Sequence, residues 1–187
     1  MTELTALWLP ILLSAVFIFI ASSVIHTVMP WHKGDYAAVP NEGAARAAIG
    51  PLAIPPGDYL MPKPASMNEM GSPEYKARHE QGPVMLFTMM PNGMRPMGPI
   101  FVRWMIYLLV VSTIAGCVTA AAVAPGAPRE YVWHYSGVIT FLCYGMALPQ
   151  ASIWYHKKWS TTLKGFFDSA IYGVITALTF GWLWPAG

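Results

Sequence analysis

The chain has 187 residues, of which 55% are apolar and only 11% charged. Soluble domains carry charge at about a quarter of their positions, so this composition rules against an ordinary water-soluble fold and points to an all-α chain in lipid. A net charge of +2 with no block of Lys or Arg rules against nucleic acid as a partner, and two cysteines are too few for a disulfide framework.

Four stretches reach the roughly 20 apolar residues that a helix needs to cross hydrocarbon: 6–28, 100–123, 131–155 and 163–184. The first has no basic residue before it and no Ala-x-Ala site after it, and is read as a retained anchor rather than a cleaved signal. It ends before Pro30, which gives a first segment of 1–29.

The connection 30–98 is expected to be a mostly irregular extramembrane module. Within it, 41–50 reads as a short helix capped by Asn41 with a Glu42/Arg46 pair, and 72–81 as another, with Ser72 as cap, Pro73 at its first position and Gly82 as stop. Pro55-Pro56-Gly57-Asp58-Tyr59 and Pro91-Asn92-Gly93 read as turns, and 84–90 as a strand or a membrane-surface segment. Methionine is crowded here, with Met67/Met70 and Met94/Met97 each spaced as Met-x-x-Met. Thioethers suit Cu(I), so copper handling is one reading; a pliable apolar contact surface is the reading preferred, and no cofactor is expected.

Three spans fill 99–187. Pro99 and Pro125 bracket the second span, Pro128 opens the third and Pro185 closes the fourth, while Pro149 falls inside the third and predicts a kink that leaves the carbonyl of Gly145 without its usual donor. The tryptophans sit near span ends, as an aromatic belt requires. Lys and Arg gather in the first and third connections, which predicts both termini outside and the long connection in the cytoplasm.

Small residues recur every four positions in the fourth span, at Gly165, Ser169, Gly173, Ala177 and Gly181, and the second span offers Ser112, Gly116, Ala120 and Ala124. Such stripes let backbones approach closely, within this chain or against another subunit. Beside them Asp168, Tyr172 and Thr176 form a polar stripe. Arg103 would lie about 6 Å and Asp168 about 10 Å into their helices from the same side, so an Arg103/Asp168 pair is expected, with His26, Gln150 and Tyr172 as neighbours at similar depth. No two histidines share a helix at ligand spacing, so His26, His32, His79, His134 and His156 are read as interface residues. No phosphate loop, nucleophile elbow or Cys-x-x-Cys is present, and no residue supports a catalytic assignment.

The segments 26–36, 55–62 and 159–184, the last running Trp-Ser-Thr-Thr-Leu-Lys, Phe-Phe-Asp and Phe-Gly-Trp-Leu-Trp-Pro, resemble a group of small bacterial inner-membrane proteins of unassigned function. The resemblance implies a bacterial inner-membrane location and no activity. Together these readings predict a bundle of four transmembrane helices with one long loop module. It would serve as an accessory or scaffold subunit that partners the lipid bilayer and other membrane subunits or itself. The alternatives are a small transporter or ligand-binding protein with an intramembrane Arg/Asp site, and a copper-handling protein.

Overall fold

The computed structural model describes residues 3–187 and is 66% helix. Four helical stretches, Leu4–Thr27, Met97–Ala122, Arg129–Tyr155 and Trp159–Leu183, are each long and apolar enough to cross a membrane, which makes this a multi-pass membrane chain. The shortest has 24 residues and spans about 36 Å at 1.5 Å per residue, more than the hydrocarbon thickness. The chain separates into two compact units: a helical one that runs to Tyr36 and resumes at Pro96, and a smaller one over Ala37–Arg95.

In the helical unit α1 is Trp8–Thr27, entered through a 3₁₀ turn at Leu4–Leu7. In the smaller unit α2 is Glu42–Ile49, β1 Gly57–Met61, α3 Pro73–Gln81 and β2 Met85–Met89. The helical unit then continues with α4 at Met97–Ala122, α5 at Arg129–Gly145, α6 at Leu148–Tyr155 and α7 at Trp159–Leu183. Helix α1 packs on α4 and α7, α5 packs on the same two, and α6 packs on α7.

The third span is two helices rather than one kinked helix. Pro149 has no N–H for the carbonyl of Gly145, so α5 ends there with Met146 N donating to Leu142 O at 3.2 Å, and α6 restarts at Leu148 with Pro149 in its first turn.

Close backbone approach explains the tight α5–α7 contact. A Cβ on Gly173 would stand 2.8 Å from the carbonyl oxygen of Gly137, and one on Gly137 would stand 3.1 Å from the Cβ of Ala177. Ile11 fills the place above Gly116, Trp133 that above Gly181 and Leu148 that above Gly165. Hydrocarbon gives helices no hydrophobic reason to associate, so this interdigitation supplies dispersion energy directly. Two apolar clusters result. Leu7, Ala120, Val123, Val132 and Phe180 close the end of the unit near Trp184, and Ala15, Ile18, Ile25, Leu108 and Tyr172 fill the middle and the other end.

The side chain of Asn41 accepts from Ala44 N to cap α2, and that of Ser72 accepts from Tyr75 N to cap α3. Strands β1 and β2 pair antiparallel, Gly57 opposite Met89 through Met61 opposite Met85. The segment Gly57-Asp58-Tyr59, expected as a turn, is thus strand. Tyr59 stacks on Phe87 at 5.4 Å and Thr88 donates to Asp58 at 2.6 Å, cross-strand contacts that outweigh the local turn preference. Residues 30–36, expected to belong to this module, are part of the helical unit instead.

Candidate functional site

The chain leaves α1 at Pro30 and folds back on itself. Lys33 N donates to Pro30 O and Asp35 N to His32 O, each at 3.1 Å, which makes a tight turn. Trp31 packs edge-on against Phe167 of α7, ring centroids 5.7 Å apart, and so lays the turn on that helix. With the turn fixed, His32 and Asp35 face Lys164 and Asp168, two residues one helical turn apart on α7.

Four side chains are linked in sequence. Lys164 Nζ donates to Asp35 Oδ1 at 2.7 Å, Asp35 Oδ2 lies 2.7 Å from His32 Nδ1, and His32 Nε2 lies 2.8 Å from Asp168 Oδ2. Burial opposes the charged form of Asp35, but hydrogen bonds from Lys164 and His32 and their nearby positive charge outweigh it, and its carboxyl is held below the ordinary value of 3.8. The Asp168 side chain is 7% exposed. Its second oxygen, Oδ1, is buried and has no hydrogen-bond partner.

This cluster borders a cavity of about 330 Å³ lined also by His26, Tyr36, Lys157, Thr161, Thr162 and Leu148. The His26 ring, from the last turn of α1, stands 4.5 Å from that of His32. One donor atom each from His26, His32 and Asp168 fall within 4.8 Å of one another. Lys164 is already committed to Asp35. The free oxygen of Asp168 is therefore the charge left to be answered, and a buried carboxylate oxygen is costly until a donor or cation meets it.

Arg103 is not in this group. It is exposed on α4, and the partner of Asp168 is His32. The turn after Pro30 carries His32 to Asp168, so the carboxylate is met without drawing the exposed Arg103 guanidinium inward. Gln150 is exposed on α6. Tyr172 is buried one turn further along α7, edge-on to Tyr144 at 5.2 Å. His26, expected as a neighbour of Asp168, borders the same cavity.

Further along the unit, hydroxyls on all four long helices are buried without a partner: Ser14 of α1, Ser112 of α4, Thr140 and Tyr144 of α5, and Thr176 of α7. The packing stripe on α7 is spent within the chain, with Ser169 and Gly173 buried and Ala177 against Gly137. Met67, Met70 and Met94 of the smaller unit are exposed, as is Met97, the first residue of α4.

His32, Asp35 and Lys164 were outside the residues that sequence reasoning assigned to the site. The signal that carries them is a Trp-His-x-x-Asp run directly after a span-ending proline, together with a Lys/Asp pair four apart on a membrane helix. No family model, curated protein or solved structure matches the chain.

Proposed function

We propose that the chain is a small ligand-binding transport protein of the membrane, a four-helix bundle whose working site takes a small cation. The observation that carries this reading is the Asp168 carboxylate, buried, anchored on one oxygen by His32 and left open on the other beside a cavity. Intramembrane ionisable groups are expensive, and one kept with an unanswered oxygen is better explained by an occupant than by packing. The five partnerless hydroxyls further along the unit support passage over static binding, since they offer polar stations between the helices. The charge bias of the connections supports both termini outside and the site on the cytoplasmic side, and the resemblance to small bacterial inner-membrane proteins supports that membrane.

The test uses protein in lipid nanodiscs, titrated calorimetrically with sodium, calcium, zinc, methylammonium and putrescine chlorides. At least one cation binds the wild type, and Asp168→Asn weakens that binding at least tenfold. Binding of none of these, or equal binding by Asp168→Asn, removes the reading. Flux of the bound cation into proteoliposomes then separates transport from simple binding.

The exposed apolar surface of the smaller unit, with Leu60, Met67, Leu86 and Met94, supports a second reading as an accessory subunit of a membrane complex. Extraction in mild detergent tests it. A defined stoichiometric partner supports that reading, and a lone monomer removes it.

A further inference from the structure

We propose that the occupant of this site is a divalent first-row metal ion of the zinc and iron(II) class, held by His26, His32 and Asp168. The inference rests on the cation reading above and adds the identity of the cation. Three observations carry it independently of one another.

The first is the donor set. Two imidazole nitrogens and one carboxylate oxygen within 4.8 Å of one another are the separations of ligands that close on a common ion by small side-chain rotations. Imidazole with carboxylate suits borderline divalent ions, while the absence of thiolate or thioether from the cluster does not suit Cu(I). The methionines of the smaller unit are therefore not part of this site.

The second is the outer contact. A histidine that binds metal through one ring nitrogen normally gives its other N–H to a carboxylate, which fixes the tautomer and makes the ligand more basic. His32 has this arrangement: Nδ1 lies 2.7 Å from Asp35 Oδ2, and Asp35 is itself held by Lys164 at 2.7 Å. With Nδ1 as donor, Nε2 is the nitrogen left for the metal, and without the metal it shares one hydrogen with Asp168 Oδ2, 2.8 Å away. The metal replaces the hydrogen shared between Nε2 and Asp168 Oδ2, and that proton leaves to solvent.

The third is the vacancy in the hydrogen-bond pattern. Asp168 Oδ1 is buried without a partner in the same cluster, and the carboxylate can turn either oxygen to an ion. Three protein ligands leave further coordination positions facing the cavity beside Tyr36, Thr161 and Thr162, open to water or a small solute.

The experiment uses full-length protein in nanodiscs, purified through a tag without histidine and stripped with chelator. Cobalt(II) serves as the spectroscopic probe, and zinc chloride and anaerobic ferrous chloride as calorimetric ones. The expected result is one equivalent of Co²⁺ with strong visible d–d bands, displaced by one equivalent of zinc or iron. Asp168→Asn and His32→Gln abolish the bands, and His26→Gln, at an exposed position outside the packed core, weakens binding at least tenfold. Asp35→Asn lowers affinity by about 10- to 100-fold while keeping a cobalt spectrum, which marks it as a positioning residue. Absence of a cobalt spectrum together with no zinc or iron binding overturns the proposal, as does a His26→Gln protein that binds like the wild type. If metals fail while methylammonium or putrescine still binds, the metal is wrong and the cation reading stands; if every cation fails, both fall.

Discussion

The two ends of the helical unit are held by different forces. Near Trp184 the contacts are Leu7, Ala120, Val123, Val132 and Phe180, and the polar ties include the Trp184 indole donating to Ala124 O and Gly126 N donating to Pro185 O, each at 3.0 Å. At the opposite end Lys164, Asp35, His32 and Asp168 are joined by short charged contacts around a cavity. The first end is specified by volume, and almost any change of size there is felt as packing energy. The second is specified by charge, and its side chains can change partners without changing shape. Stability and ligand response should therefore separate along the membrane normal.

The largest expected effect comes from the packing side. Gly173→Leu drives a side chain into the Gly137 carbonyl and should cost about 3 kcal/mol, read as reversible unfolding in mixed micelles, with cation binding by the surviving folded fraction unchanged. Phe180→Ala, which empties a fully buried ring, should cost about 2 kcal/mol, mostly the cavity part of the usual loss because lipid is as apolar as the core. At the polar end Asp168→Asn should cost only about 1 kcal/mol, since the amide still reaches His32, while the calorimetric response to cations disappears. Smallest is Trp184→Phe, about 0.5 kcal/mol for one exposed hydrogen bond, with no effect on cations. A cation response lost on changing Phe180 or Trp184, or kept in Asp168→Asn, would erase the contrast between the two ends.

Local and periodic signals were legible in the sequence. Span length and hydropathy are properties of about 20 consecutive residues, and the four apolar stretches correspond to helices long enough to cross a membrane. Asn41 and Ser72 act within their own turns, and both do cap helices. The effect of Pro149 is likewise local, although a break between Gly145 and Leu148 replaces the expected kink. The partner of Asp168 was not legible, because it depends on how the chain turns after Pro30. Depth along two straight helices favours Arg103, yet the fold-back brings in His32 from beyond the end of α1. Searching for histidines at helical spacing misses His26 and His32 for the same reason: six positions apart, they are joined by a reversal and not by a helix face. Strand β1 is not legible locally because its partner is far along the chain, Tyr59 pairing with Phe87 and Gly57 with Met89, beyond the reach of any local pattern.

The break in the third span has a bearing on selectivity. Leu148, the first residue of the eight-residue helix α6, occupies the space a side chain on Gly165 would need and also borders the cavity. Because α6 is not continuous with α5, widening the chamber calls for a swing of that short rod about residues 146–147, not a parting of whole spans. In the cation-binding reading proposed above, that one isobutyl group would act as a calliper, limiting the girth of an occupant before its charge is weighed.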